Sequence, residues 1–407
     1  MLEENNGNEM NGFYRMRIQR TIPPVAALVN LKDILNSLDG IILGRRNINR
    51  LEKSIKEYFR VKHVFLVSSG KVALTLILLA LKSKSAKKKV LIPAYTCFSV
   101  PSSIAKAGLE VSLCDINPST LDFDYELLKK TVDEDTLCVI PNHLFGIPAD
   151  VEKVKGVCSG QDVYIVEDAA QAMGGTLNGK QLGTIGDVGF FSLGRGKNIT
   201  CGSGGIIITN SDQIAEKISE YYSSLTYPNR LRELRDLFLF IVMTIFIKPS
   251  LYWFPAGLRF LKLGQTMFHK DFPMHKLSGI KAGLLRHWKE RLEQSNMIRQ
   301  KTMVWFNERL KLQTICRDMI PVLRLPVLLN SPEERDRICS LSGKYGLGLS
   351  PMYPTPINEI EEIKETFNGK SFPGAGKVAE MLLTIPTHHL LSDQDREGIC
   401  RILNNNP

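Results

Sequence analysis

The chain has 407 residues, 43% of them hydrophobic and 23% charged, with a formal net charge of +10. That composition excludes an intrinsically disordered chain, and the length is enough for two domains with a large buried core. The eight cysteines are scattered with no Cys-x-x-Cys pair, which suits a reducing compartment and argues against a structural zinc site or a disulfide framework.

The polar, acidic opening from Met1 to Met10 has no apolar core of the kind a signal peptide carries, and is expected to be a frayed arm. Leu31 to Leu38 and Asn49 to Tyr58 read as helices, the second with Leu51, Ile55 and Tyr58 on one face. Strand and helix then alternate. Val64–Val67 is a strand, Ser68-Ser-Gly70 a turn, and Lys71 to Leu81 an apolar helix. The run Lys82-Ser-Lys-Ser-Ala-Lys-Lys-Lys89 lacks interleaved aromatics, so a solvated loop or a general attraction to anionic ligands or lipid fits it better than nucleic acid. Val90–Ile92, Val111–Cys114, Leu137–Ile140 and Val163–Val166 are short β-rich runs, with a helix around Ser99 to Ala107. This alternation predicts an α/β fold with a mainly parallel sheet between helices. In such sheets ligands lie beyond the carboxyl ends of the strands.

Three strand ends carry candidate chemistry. Ser68-Ser-Gly70 opens a helix, where free backbone amides and hydroxyls suit a phosphate, although capping by serine explains the same residues. Asp168 ends a buried strand in Val-Glu-Asp-Ala-Ala-Gln171. A carboxylate there needs a partner, either a protonated pyridine nitrogen or a structural cap or salt bridge. The stretch Val188-Gly-Phe-Phe-Ser-Leu-Gly-Arg-Gly-Lys-Asn-Ile-Thr-Cys-Gly-Ser-Gly-Gly205 presents one lysine, Lys197, in a glycine-rich turn between strands. An ammonium is costly to desolvate, but an amine bonded to an aldehyde cofactor is not charged in the same way. A solvated lysine in a surface loop is the competing reading. Ser192, five residues earlier, can add a hydroxyl to a phosphate.

Further along, Arg230-Leu-Arg-Glu-Leu-Arg235 leads into the apolar run Leu237–Ile247, then Lys248-Pro-Ser and Leu251-Tyr-Trp-Phe-Pro255. The run is shorter than the roughly 20 residues of a spanning helix. Its basic flanks and aromatics suit a segment lying in a membrane interface, and burial in the core or against a second subunit is the alternative. From Lys276 onward the chain reads as long helices and a few strands. Leu284 to Leu310 is expected to link two domains.

The phosphate turn, Glu-Asp-Ala-Ala-Gln, Phe-Ser and a lysine before Asn-Ile-Thr and a glycine pair occur in an order that resembles the DegT/StrS-type sugar aminotransferases. Pro141-Asn-His-Leu-Phe-Gly-Ile-Pro148 and Leu383-Thr-Ile-Pro-Thr-His388 extend the likeness from about Gly44 to the C-terminus. The resemblance implies the aspartate-aminotransferase fold, pyridoxal 5'-phosphate as cofactor and transfer of an amino group, from glutamate in most of the family, to a nucleotide-linked keto-sugar. Glycan or amino-sugar biosynthesis by a cytoplasmic homodimer is implied with it. Lys197 then resembles the lysine that holds the cofactor, Asp168 the partner of its ring nitrogen and Gln171 the residue near its phenolic oxygen. Ser69, Gly70, the amides of Lys71 and Val72, and Ser192 resemble the phosphate cradle. Cys97 stands where the family commonly stacks an aromatic ring, Lys71 where it has threonine and Gly194 where it often has histidine. Met274-His275-Lys276 aligns with an Asn-Tyr-Arg whose asparagine reaches a neighbouring subunit's phosphate. Retention of Lys197 argues against the dehydratase branch, in which histidine replaces it. The expected division is an arm over 1–30, a large cofactor-binding domain over 31–225, an apolar and basic insertion over 226–272, and a linking helix with a small α/β domain over 273–407. Another pyridoxal-phosphate reaction, or a non-catalytic membrane-associated or regulatory protein of the same fold, is the alternative. Peripheral membrane contact through 237–254 is compatible with each.

Overall fold

The Ile-rich run Gly205–Thr209 is buried along its whole length, as a strand must be when helices cover both faces of its sheet. The computed structural model describes residues 20–261, 263–264, 266–316 and 319–405. The frayed arm expected at the N-terminus therefore lies mostly outside the described residues. In chain order the elements are α1 (Leu31–Phe59), β1 (His63–Val67), α2 (Gly70–Lys82), β2 (Lys89–Pro93), α3 (Ser99–Lys106), β3 (Glu110–Cys114), α4 (Tyr125–Thr131), β4 (Thr136–Val139), α5 (Val151–Val157) and β5 (Tyr164–Asp168). A small hairpin of β6 (Thr176–Leu177) and β7 (Lys180–Gln181) precedes β8 (Val188–Ser192) and β9 (Gly205–Thr209). There follow α6 (Asp212–Ser224), α7 (Arg230–Phe246), α8 (Pro249–Gly257), α9 (Gly279–Leu284) and α10 (Trp288–Arg309). The last elements are β10 (Arg324–Leu328), α11 (Pro332–Tyr345), α12 (Pro373–Met381), β11 (Leu382–Pro386) and α13 (Asp393–Asn404).

Seven strands form one sheet in the order β1-β9-β8-β5-β4-β2-β3. All run in the same direction except β9, which is antiparallel to both β1 and β8. The mainly parallel sheet read from the alternation is thus present. The single reversal arises because residues 193–204 turn the chain straight back from β8 to β9. Alternate side chains feed opposite faces: Phe190 and Ile207 join the core under α2, whereas Phe191, Ile206 and Ile208 join the core under α1. A separate two-stranded antiparallel sheet pairs β10 with β11, Arg324 opposite Pro386. Met303, Val327, Ile338, Leu383 and Ile399 form its core with the helices around it.

Two helix expectations change. Leu31–Leu38 and Asn49–Tyr58 are parts of one helix, α1, which kinks at Leu43 (φ −103°, ψ 26°). The intervening Gly40-Ile-Ile-Leu-Gly44 stays helical because its glycines lie directly on α9. A Cβ at Gly40 would fall 2.4 Å from the carbonyl oxygen of Gly279, and one at Gly279 would fall 2.3 Å from Cα of Gly44. Glycine is a poor helix former alone, and here the close backbone approach outweighs that preference. The long linking helix starts at Trp288, not Leu284, because α9 is a separate turn ending at Leu284. Residues 20–30 are extended and packed. The buried Arg299 guanidinium of α10 donates to the carbonyls of Ala26 (2.7 Å) and Leu323 (2.8 Å), and Arg20 pairs with Asp395 at 2.5 Å.

Candidate active site

The parallel strands deliver their carboxyl ends to one edge of the sheet. β1 runs into Ser68-Ser69 and the start of α2. There Ser69 is a true N-cap, its hydroxyl accepting from the Val72 amide at 3.2 Å. That leaves the Gly70 and Lys71 amides without hydrogen bonds among the described residues, aimed out of the helix start. Gly70 faces Ser192 at the end of β8: a Cβ on Gly70 would lie 3.1 Å from the Ser192 Cβ and 3.3 Å from its hydroxyl. The two halves of the expected phosphate cradle therefore meet, and glycine is what permits the approach. Gly205 is tighter still, since a Cβ there would fall 2.3 Å from the Ser69 carbonyl oxygen.

The turn after β8 folds Lys197 back over the strand ends. A Cβ on Gly194 would sit 3.3 Å from the Ser192 hydroxyl and 3.9 Å from Cγ of Lys197. Part of the Lys197 stem is accessible, but its amine is desolvated, and burial pushes its pKa down against the opposing pull of nearby Cys97 and Asp168. The amine makes no hydrogen bond with a described residue.

Asp168, the last residue of β5, is buried, and one carboxylate oxygen accepts from the Ala170 amide at 3.0 Å. Burial raises its pKa, partly offset by that amide and by the Lys197 ammonium. It is neither the helix cap nor the closed salt bridge that its position also allowed. Gln171 lies beside it, and its Nε2 donates to the Tyr353 hydroxyl at 3.0 Å. Cys97 lies close enough to Lys197, Lys71 and Tyr353 to act on their charges, with its Sγ 3.7 Å from the Thr266 hydroxyl. The Lys71 side chain turns outward, its amine 4.5 Å from the centre of the Phe272 ring. Met274 packs on the core beside α2.

Three features escaped the sequence reading. Tyr353 arrives from a loop 182 positions beyond Gln171, so no local pattern marks it. Burial raises its pKa well above that of a free tyrosine, so the hydroxyl stays protonated and can donate to whatever occupies the site. Asn142, after β4, donates its side-chain amide to the Thr96 hydroxyl. Glu167 did leave a signal, an acid inside an apolar strand beside a second acid. Strand alternation sends it to the face opposite Asp168. There it accepts from His143 Nε2 (3.0 Å) and from the amides of Gly183 (2.9 Å), Ile185 (2.5 Å) and Gly186 (2.6 Å). His143 Nδ1 accepts from the Ala149 amide, so its ring proton belongs on Nε2, facing the carboxylate. Burial alone would push Glu167 up, but His143 and the glycine amides hold it below the usual range. Glu167→Ala leaves three amides unpaired at about 1–3 kcal/mol each, those of buried Gly183 and Ile185 and of half-buried Gly186. Urea unfolding should show a loss of at least about 3 kcal/mol, and a loss below about 1 kcal/mol would remove this anchoring role.

Among the described residues no cluster of acidic, histidine or cysteine side chains could hold a metal ion. What the arrangement offers is an anion cradle, a neutralisable amine, a buried carboxylate and a protonated tyrosine around one space.

The model of the DegT/DnrJ/EryC1/StrS aminotransferase family matches residues 27–231. A GDP-perosamine synthase of Vibrio cholerae is 34% identical over 188 residues, 46% of this chain and 50% of that protein. A GDP-4-keto-6-deoxy-D-mannose 3-dehydratase of Yersinia pseudotuberculosis is 34% identical over 190 residues, 44% of this chain and 48% of that one. The chain thus spans about half the length of these curated relatives. The fold also matches that of Helicobacter pylori PseC, an aminotransferase involved in the biosynthesis of pseudoaminic acid. There the TM-score is 0.77 at 16% identity, covering 94% of this chain and 98% of that one.

Proposed function

Because the chain belongs to the DegT/DnrJ/EryC1/StrS aminotransferase family, we propose that it is a pyridoxal-phosphate-dependent aminotransferase that moves an amino group from glutamate to a nucleotide-linked keto-sugar. The observation that carries this reading is the desolvated Lys197 amine beside the buried Asp168, at the strand ends that also hold the Gly70–Ser192 cradle. These residues fit the cofactor. Free amides at the start of α2 and the Ser192 hydroxyl would hold its phosphate, Asp168 its ring nitrogen, and Gln171 with Tyr353 its phenolic oxygen. When bound, it supplies an aldehyde for the donor nitrogen and a ring that takes up the negative charge left by proton removal. Lys197, its pKa lowered by burial, takes the proton from the donor carbon at Nζ in its neutral form and returns it to the carbon on the far side of the donor nitrogen. An ionised Asp168 favours a protonated ring nitrogen, which strengthens that charge uptake.

Residues 31–225 carry the cofactor in this reading, and the part beyond 273 covers it through Tyr353. The protein works as a homodimer in the cytoplasm, a reducing compartment that suits its scattered cysteines. Residues 237–254 rest on the inner leaflet. Retained Lys197 favours amino transfer over the dehydration named for the Yersinia relative. Purified protein should convert at least one of a panel of nucleotide keto-sugars, with glutamate, to an amino-sugar and 2-oxoglutarate, and should sediment as a dimer. Loss of water from a keto-sugar without 2-oxoglutarate would replace this reading with dehydration. A monomer that still holds cofactor would remove the dimer.

A further inference from the structure

Helix α7 is apolar on both sides. Leu237 and Phe240 face inward and are buried. On the outside, Leu231, Leu234, Phe238 and Ile245 follow at three-, four- and seven-residue spacing, with Leu231 78% and Phe238 64% exposed. Leu251 and Phe254 of α8 continue the exposed apolar surface, and Phe260 (76% exposed) and Leu261 follow it in the chain. The two helices meet at an angle of 118°, with the Phe246 and Phe254 rings 5.8 Å apart across the corner. No single described helix is long and apolar enough to cross a membrane, and this bend prevents the pair from crossing as one rod.

The charges around this surface have one sign. Arg230, Arg235 and Lys248 are exposed. The acids of α7 are engaged elsewhere. Asp236 accepts from Lys281 at 2.9 Å, with Arg235 reaching only its edge at 3.5 Å, and Glu233 is half-buried against Ser278. A second copy is a poor occupant, because a twofold contact would bring this cationic rim onto itself. The family match covers residues 27–231 and so takes in only the first two residues of α7.

We propose that α7 and α8 dock on an anionic lipid bilayer, lying in its interface with the outward stripe among the acyl chains and the three cations at the headgroups. This rests on the placement of 237–254 against a membrane and adds the face, the orientation and the lipid charge. The three cations together weight binding toward anionic lipid by roughly 10²-fold at low salt.

Flotation with vesicles of phosphatidylcholine alone or mixed with phosphatidylglycerol tests it. The wild-type protein should float with the mixed vesicles, at least about tenfold more than with the neutral ones, and less as salt rises. Leu234→Glu with Phe238→Glu should cut the floating fraction at least about tenfold while leaving the melting temperature unchanged. If that variant misfolds, Arg235→Glu with Lys248→Glu should still abolish the preference for anionic vesicles. Wild-type protein that stays at the bottom with both vesicles overturns the proposal. So does equal flotation with both, or a Leu234→Glu/Phe238→Glu variant that changes from dimer to monomer. Glutamate-dependent turnover measured on the same samples separates the two readings, since it does not depend on flotation.

Discussion

Lys197→Ala is expected to abolish covalent attachment of the cofactor and nearly all transamination. In the wild-type protein, borohydride reduction should fix pyridoxal phosphate to the peptide containing Lys197. In the variant no peptide should carry it. The expectation follows from geometry: the Lys197 amine is desolvated, has no hydrogen-bond partner among the described residues, and lies within electrostatic reach of Asp168 and Cys97. The other lysine near this edge, Lys71, is turned toward Phe272. Removing a positioned acid and base costs about 10²–10⁴-fold in rate, and here the attachment point goes with it. Adduct on Lys71, or turnover within about tenfold of wild type, would sink the assignment.

Asp168→Asn should keep the fold and lose most of the chemistry. Asparagine preserves the shape and can still accept from the Ala170 amide, but it cannot carry the charge that favours a protonated ring nitrogen. Loss of one preorganised electrostatic group of this kind costs about 10²–10³-fold in kcat, and cofactor affinity should fall as well. Stability should move the other way. Burial raises the Asp168 pKa in the folded protein. A raised carboxyl pKa gives stability that is complete below the unfolded value and is lost as pH rises through the folded one. At pH 7, above the unfolded value, the wild-type cofactor-free protein therefore bears a cost of burying an ionisable carboxyl that the variant lacks. Cofactor-free Asp168→Asn should melt no lower than wild type at pH 7. A lower melting point, or wild-type conversion of glutamate to 2-oxoglutarate, would count against this role.

The two substitutions test residues that the sequence itself singles out. Strand periodicity and turn chemistry are local, so the succession of short buried strands, the serine turn before α2, the acid ending β5 and the lysine between glycines are all visible in windows of a few residues. Their meeting at one edge follows from the handed, parallel connection of strands through helices. The apolar composition of 237–254 is equally plain in the sequence.

Tertiary structure alone decided which neighbours these residues meet. Tyr353 reaches Gln171 across 182 positions of chain, and only the packing of the segment after α11 brings it there. Gly40 and Gly44 look like a break between two helices, yet α9 lies so close that glycine is required and the helix continues. Glu167 and Asp168 are adjacent acids, and only the sheet's two faces give one a set of amides and the other the site. For α7, the continuously apolar second half cannot declare from its own period which side is buried. The fold settles it by packing Leu237 and Phe240 inward and leaving Leu231 and Phe238 outside. Local propensity acts over a turn or a strand, whereas burial is set by contacts between segments far apart in the chain, and those exist only once the chain has folded.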